Sequence, residues 1–431
     1  MIDIKLIREN PKAIKENQKK RGVGTEKIDA LLEYDDKWRK LKQDIDQLRG
    51  ERNKISSEIN ELMKAGKKKE AGVSIKKAKS IPEKISKKEN EMKTVDEKRL
   101  EILKNIPNIV DKSVPVGGED KNKVLKKYGV AKKTKNEGHA EIMETMDLID
   151  VKKAGEVAGA RFYYLKNKLV KLNHALMDFA MDFLVKKKFI LMQPPYMLKH
   201  EVLESALTLD AFKEAIYKIE GEDLYLIGTA EHALNAYYTN ELIAKDKLPV
   251  RFAGVSPCFR KEAGAHGKDT KGIFRVHQFE KIEQFVFCKP EDSWKEFDLI
   301  LNNSIEMFKL LEIPFRVVVL SSEDMGRVPT KTIDLEGWFP SQGEYRELGS
   351  CSNCLDYQAR RSNTRFQEAG ETKFVNTLNN TAIATERMLT CLIENGLQKD
   401  GSIKIPKALW KYTGFKKIDG PKKSNKAVKK N

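Results

Sequence analysis

The chain has 431 residues, 40% hydrophobic and 34% charged, with a formal net charge of +17. That length allows more than one domain and a large core, while the low apolar fraction calls for an extended, solvated element as well. No apolar run approaches the roughly 18 residues of a membrane span, the start Met1-Ile2-Asp3-Ile4-Lys5 has no long apolar secretory stretch, and five scattered cysteines do not read as a disulfide framework. A membrane partner is therefore not expected, and the expected compartment is the cytosol (a cytoplasmic protein).

The charge is concentrated at the two ends. Residues 1–112 carry +9 and residues 416–431 carry +6, leaving +2 for everything between. A polyanion would be met mainly by these ends, through phosphate neutralisation. The plainer reading is that Lys-rich helices keep the protein soluble.

Asn10-Pro11 predicts a helix start, with Asn as cap and Pro in the first turn. A heptad seam follows at Leu31, Tyr34, Trp38, Leu41, Ile45, Leu48, Ile55, Ile59 and Leu62, broken at Arg52. The pattern stops around Ala65-Gly66 and Gly72. A second seam runs through Ala78, Ile81, Ile85, Met92, Val95, Ile102 and Ile106, with Lys88 and Arg99 in two of its slots. Two such seams predict an antiparallel helical hairpin with arms of roughly 30 residues, ~45 Å long; Pro82 would start or kink the second arm. An oligomerisation coiled coil fits this pattern as well as a lever that reaches a long ligand. The Lys-rich turn, Lys64 and Lys67 to Lys69, leans towards the lever.

Pro107, Pro115, Gly117 and Gly118 punctuate the exit. Helical signals follow at Leu172 to Leu184, Ala230 to Ala244, Trp294 to Leu311 and Thr381 to Glu394. Strand-like runs lie between, at Leu224 to Thr229, Ile273 to Phe287 and Phe315 to Leu320. The strands are too many for a simple βαβ repeat, which predicts an α+β fold with a mainly antiparallel sheet flanked by helices. The Lys-rich end has almost no apolar content and is expected to be disordered.

Neither a P-loop nor a GxGxxG fingerprint is present, so any ATP must be held in another way. The segment Val255 to Phe287 reads as strand, Gly-rich loop (Ala263 to Lys268), strand. Alternation on the second strand puts Arg275, His277, Phe279, Lys281 and Glu283 on one face. A solvated outer face could look like this, but the mixture suits a nucleotide site: Arg for phosphate, Phe for a base, Glu for an ammonium or hydroxyl.

Phe259-Arg260-Lys261-Glu262 together with Arg275-Val276-His277-Gln278-Phe279-Glu280-Lys281-Ile282-Glu283 resembles motif 2 of the class II aminoacyl-tRNA synthetases, in its seryl-tRNA synthetase form. Gly228-Thr229-Ala230-Glu231 resembles that family's serine-binding element. Tyr345-Arg346-Glu347, Ser350-Cys351-Ser352-Asn353-Cys354 and Gln358-Ala359-Arg360-Arg361 resemble the stretch before motif 3. Leu378 to Arg387 with Glu394-Asn395 resembles motif 3, and Phe189 to Met197 motif 1. Ile106-Pro107-Asn108 and Arg161-Phe162-Tyr163-Tyr164-Leu165 resemble the linker region.

The resemblance implies an enzyme that makes seryl-adenylate from L-serine and ATP with Mg2+, then delivers the seryl group to tRNA-Ser. Charging of tRNA-Sec is an acceptor left open. It implies Arg260, Glu347 and Arg387 as the catalytic set; Arg260, Lys261, Glu262, Val276, Phe279, Glu347, Leu348, Gly349, Ser350 and Arg387 around ATP; and Glu347 and Ser350 on the Mg2+. Serine would meet Thr229, Ala230, Glu231, Arg260, Glu283, Asn379 and Thr381. It further implies a homodimer, with each arm crossing to tRNA on the other subunit, and no DNA partner. The expected regions are a helical tRNA-binding arm over 1–112, a class II catalytic domain over 113–418, and a basic tail over 419–431.

Three positions depart from the family pattern: Gly349 where Ser is usual, Gly337 where an apolar residue is usual, and Glu386 before Arg387 where a small or neutral residue is common. Cys351-x-x-Cys354 invites a zinc reading, but no second paired spacing supplies four ligands, and no zinc is expected. His277 is expected to be a hydrogen-bonded strand residue rather than a base. Two other functions compete: loading of a carrier protein, which the long arm opposes, and a non-enzymatic binding module, which the retained Arg260, Glu262, Glu347 and Arg387 oppose.

Overall fold

The structure, a computed structural model, describes residues 1–206, 215–262 and 271–421. It divides into two units, Met1–Pro107 and Asn108–Asn431.

In the first unit, α1 (Ile4–Glu9) and α2 (Pro11–Lys20) precede a helical hairpin. Asn10 caps α2 as its position predicts, its side chain accepting the Ala13 N–H at 3.1 Å. The hairpin consists of α3 (Glu26–Lys64) and α4 (Lys68–Asn105). At 39 and 38 residues these are each ~58 Å long. They exceed the expectation because α4 begins at Lys68, with Gly72 inside it rather than in the turn. Ala71 and Ser74 are buried there, and Ser74 donates to Glu58 of α3 at 3.2 Å. That packing outweighs the roughly 1 kcal/mol a helical glycine costs. Helix α4 also runs through Pro82, flanked by Ile81 and Ile85, which join Ile45 and Ile55 of α3 in one apolar cluster.

The polar residues in the seam have partners across the hairpin. Lys88 meets Asp44 at 2.7 Å, and Arg99 meets Asp35 at 3.1 Å. Arg8 of α1 holds the same buried Asp35 at 2.6 Å. Burial pushes the Asp35 carboxyl up, but hydrogen bonds from Arg8 and Arg99 prevail and hold it below the usual carboxylate range. Such pairs fix the register of the two arms.

The second unit is built on eight strands: β1 (Lys123–Tyr128), β2 (Ile190–Met192), β3 (Val250–Phe259), β4 (Gln278–Cys288), β5 (Phe315–Val319), β6 (Lys331–Phe339), β7 (Glu344–Leu355) and β8 (Asn376–Ala384). Their order in the sheet is β1-β5-β6-β7-β8-β4-β3-β2. Every neighbouring pair is antiparallel except β2 with β3. Flanking helices are α5 (His139–Thr145), α6 (Asn167–Lys186), α7 (Ala230–Ala236), α8 (Ser293–Leu310) and α9 (Thr385–Gly396). This is the expected α+β class with a mainly antiparallel sheet. Leu176, Phe183, Phe297, Phe308 and Leu389 of the helices share one core with Ile282, Val286 and Phe315 of the sheet.

Strand alternation then decides which residues face a ligand. Gln284 and Asn380, opposite each other on β4 and β8, both donate to Ile300 O of α8, at 3.2 and 2.5 Å. Their neighbours Glu283 and Thr381, also opposite each other, project to the other side of the sheet.

Several boundaries differ from the sequence reading. Thr381 lies in β8, and the helix after it starts at Thr385. All of β8 is buried, so its composition carries no period to separate strand from helix. Helix α7 ends at Ala236; Asn240 has φ +63° and Leu242–Ile243 pair with Arg365–Phe366. The strand expected over Leu224 to Thr229 shrinks to Tyr225–Leu226. The strand expected from Ile273 starts at Gln278, after a turn at Gly272 (φ +70°), where a Cβ would come within 2.7 Å of His139 Nε2. Asp419, expected in the tail, pairs with Lys168 at 2.8 Å. The remainder of the tail, 422–431, and the whole Gly-rich loop, within 263–270, lie outside the described residues.

Candidate active site

A cleft of about 480 Å³ opens on the face of the sheet opposite α8, lined by residues of β4, β7 and β8, the start of α9 and the segment Phe274–Val276. Of the residues expected around ATP, it gathers Arg260, Glu262, Val276, Phe279, Glu347, Leu348, Gly349 and Arg387. Arg260 follows β3 directly. Its backbone N–H donates to His277 O at 2.9 Å, its Nε donates to Gly228 O at 3.1 Å, and its guanidinium lies 5.3 Å from the Phe279 ring centre. Across the cleft Arg387 meets Glu347 at 2.8 Å, and nearer the loop Arg275 meets Glu262 at 2.9 Å. The Arg387 charge keeps the Glu347 carboxyl below the usual range against the opposing effect of desolvation.

Lys261 and Ser350 do not line the cleft. Lys261 uses its backbone N–H on Ala215 O at 2.9 Å. Ser350 stands opposite Asp334 of β6 in the sheet. Burial, then the charge of Glu347, push Asp334 well above the ordinary aspartate range, and its Oδ1 has no hydrogen-bond partner among the described residues.

The residues expected to bind serine form a second, deeper group. Glu283 pairs with Lys281 at 2.5 Å and accepts from the Thr381 hydroxyl at 3.4 Å. Glu231 accepts from Gln358 at 2.7 Å and from Asn379 at 3.1 Å. Gln358 is itself oriented by the Thr377 hydroxyl at 2.6 Å. Burial first, and repulsion from Glu283 next, push the Glu231 carboxyl up to about 7. Thr229 caps α7 by accepting the Glu231 N–H at 3.3 Å. Ala230 is a packing residue: a Cβ on Gly254 of β3 would fall 2.7 Å from the Ala230 Cβ, so glycine there lets α7 sit directly on the sheet. Lys281 and Thr381 line the cleft as well as contacting Glu283, so the two groups are continuous.

Four further residues belong to the site without having been expected as ligands. Phe274 and Ala384 line the cleft, and the Arg346 and Arg387 guanidinium groups lie 4.5 and 5.3 Å from the Phe274 ring. Gln358 was legible only as part of a motif string. Glu386 lines the cleft yet turns away from Arg387: it accepts from the Tyr163 hydroxyl at 2.6 Å and from the Glu280 N–H at 3.1 Å. Burial pushes its carboxyl up to about 7. His277 is outside the cleft lining, with Nδ1 2.9 Å from Arg260 O. Gly337 is explained by packing, since a Cβ would lie 2.4 Å from Leu348 Cδ1 and 2.9 Å from Cys391 Sγ. At Gly349 a Cβ would press on Thr381 at 3.2 Å. Cys351 is buried in the core, and the Cys354 sulfur lies 3.8 Å from Asn379 Nδ2.

Comparison with known proteins agrees along nearly the whole chain. Residues 1–110 match the family described as the seryl-tRNA synthetase N-terminal domain, and residues 214–396 the tRNA synthetase class II core domain (G, H, P, S and T). The chain is 47% identical over 422 residues to the serine–tRNA ligase of Nitrosopumilus maritimus, covering 97% of this chain and all of that one. A crystal structure of seryl-tRNA synthetase from Pyrococcus horikoshii complexed with ATP superposes with a TM-score of 0.93 at 43% identity, over 97% of this chain and all of that one. The cytoplasmic serine–tRNA ligase of Naegleria fowleri in complex with AMP gives 0.86 at 36%, over 97% and 99%.

Proposed function

The chain belongs to the seryl-tRNA synthetases, and from that membership we propose how its own residues carry the family reaction. The protein activates L-serine with ATP and transfers it to tRNA-Ser. In the first step a serine carboxylate oxygen attacks the α-phosphorus as the bond to pyrophosphate breaks. In the second, a ribose hydroxyl of the terminal adenosine attacks the seryl carbonyl and AMP leaves. Neither step needs a protein nucleophile, so the residues act by positioning and by stabilising charge.

ATP occupies the cleft. Phe279 stacks on the base and Val276 holds it through the backbone. Arg260 meets the α-phosphate or the serine carboxylate, with Lys261 and Glu262 beside it, and Arg387 meets the γ-phosphate. Leu348 and Gly349 form the adjoining wall. Glu347 on the cleft wall, with Ser350 behind it, would hold Mg2+. The half-exposed, charged Glu347 and the unpartnered buried Asp334 oxygen nearby fit a cation there. When bound, Mg2+ would neutralise phosphate charge, and it needs few protein carboxylates.

Serine occupies the deeper group, its ammonium and hydroxyl shared among Glu231, Glu283, Thr229, Thr381 and Asn379. Alanine would leave those buried polar groups unpaired, which supports strong discrimination. The observation that carries the reading is the continuity of the two groups through Lys281, Glu283 and Thr381. Glu283→Ala is expected to abolish serine-dependent ATP–pyrophosphate exchange; retained exchange would sink the assignment.

The arm over 1–112 binds tRNA through its exposed Lys-rich turn, the domain over 113–418 is catalytic, and tRNA-Sec is a second acceptor to assay beside tRNA-Ser. The apolar edge of β2, with Ile190 55% and Leu191 41% exposed, supports a homodimer. Sedimentation of the free protein tests it. The five free, buried cysteines support a cytosolic setting.

A further inference from the structure

The segment Arg161–Tyr163 has no role in the substrate binding described above, yet it touches both walls of the ATP cleft. Arg161 has φ +62°, a conformation that costs a non-glycine residue on the order of 1 kcal/mol or more and persists only where its surroundings hold it. Its carbonyl accepts the His277 N–H at 3.1 Å and its Nη1 donates to Arg275 O at 3.2 Å. The Phe162 ring lies 5.2 Å from the ring of His277, which in turn bonds Arg260 O. Arg161 and Phe162 thus lie along the stretch that carries Arg275, Val276 and Phe279.

Tyr163 reaches the opposite wall. Its hydroxyl donates to Glu386 Oε1 at 2.6 Å, and the same oxygen accepts the Glu280 N–H at 3.1 Å. Glu386 is 2% exposed and stands next to Arg387 in the first turn of α9. The phenol keeps its proton, since burial and the Glu386 charge both push its pKa up. When Glu386 is ionised, this short hydrogen bond from a neutral phenol is of the strong, charge-assisted kind. Asn173 of α6 holds the Glu280 side chain at 2.5 Å and closes the network from behind.

We propose that Arg161–Tyr163 is a strap that positions ATP: through the Tyr163–Glu386 bond it fixes Arg387 relative to the base-binding stretch Arg275–Phe279. The strap rests on the reading that Arg387 and Phe279 bind ATP. None of its three residues lines the ATP cleft, so they are positioning residues. Its signature is a selective effect on ATP.

The experiment is pyrophosphate exchange by the full-length enzyme, with KM for ATP and for serine measured separately in Tyr163→Phe, Glu386→Ala, Glu386→Gln and Arg387→Ala, alongside melting temperatures. Tyr163→Phe and Glu386→Ala are each expected to raise KM for ATP roughly tenfold, the effect of losing a bond of about 1.4 kcal/mol. KM for serine should stay within about twofold, and Glu386→Gln, which still accepts from Tyr163, should recover most of the loss. The double variant Tyr163→Phe/Glu386→Ala should be little worse than Glu386→Ala alone, because that variant already removes the acceptor of the Tyr163 hydroxyl. If Arg387→Ala raises KM for ATP while Tyr163→Phe and Glu386→Ala do not, the strap is overturned and the ATP site stands. If both KM values rise together with a fall in melting temperature, the role is structural and the strap is again overturned. If Arg387→Ala leaves KM for ATP unchanged, the ATP-site reading falls and the strap falls with it.

Discussion

Lys281 and Glu283 stand two residues apart on β4, 7% and 2% exposed, and their charges meet at 2.5 Å at the boundary between the ATP cleft and the serine group. Residues i and i+2 of a strand share a face, so this pairing follows once the strand is formed. Removing one partner strands a buried charge. Lys281→Met is expected to cost about 3–5 kcal/mol in unfolding free energy. The double variant Lys281→Met/Glu283→Leu should recover much of that stability while remaining inactive in pyrophosphate exchange. Denaturant unfolding of the three proteins checks both points.

With Glu231 in the proposed serine site, the serine affinity is expected to depend on pH. Its carboxyl titrates at about 7 in the folded protein, above the ordinary glutamate value of 4.5. A raised acid pKa means the folded state holds the proton more tightly, so this group favours folding below about 4.5 and loses that contribution as pH rises to about 7. Binding an ammonium reverses the preference and favours the ionised form. KM for serine is therefore expected to fall roughly tenfold between pH 6 and pH 8, and Glu231→Gln should flatten the profile.

Glu347 behaves oppositely. Arg387 holds its carboxyl below the usual range, so the charge that would bind Mg2+ persists through neutral pH, and the pair's contribution is lost only as pH falls through that depressed value. Glu347→Gln is expected to raise the Mg2+ concentration for half-maximal exchange by at least about tenfold, on the scale by which altered metal shells weaken binding. An unchanged Mg2+ titration would remove Glu347 from the metal.

The tip of the hairpin, where α3 ends and α4 begins, carries Lys64, Lys67, Lys68 and Lys69, all exposed. Replacing the four with Glu should leave pyrophosphate exchange intact and weaken tRNA binding. The slope of log affinity against log salt should drop by roughly 0.9 for each phosphate that is no longer neutralised. An unchanged slope would take the turn out of the tRNA interface.

Much of this molecule could be read from residue order. The hairpin was legible because two long seams repeat every three and four residues. The cleft was legible because Arg260, Glu262, Phe279, Glu347 and Arg387 sit in recognisable strings. Where burial was complete, the reading failed locally: β8 has no exposed face to give a period, so Thr381 passed for helix. At α4 the sequence marked Gly72 and Pro82 as breaks, but packing against α3 carried the helix through both.

By itself the sequence determined the chemistry available, namely which charged and aromatic groups exist and which short spacings bring them to one face of a strand. How distant groups combine follows from the packing of the elements. Gln358 reaches Glu231 across 127 positions, Tyr163 reaches Glu386 across 223, and Arg99 reaches Asp35 across 64. Local rules cannot supply these pairs, because the partner of a buried charge is set by which elements pack together, and burial is what makes the partner necessary.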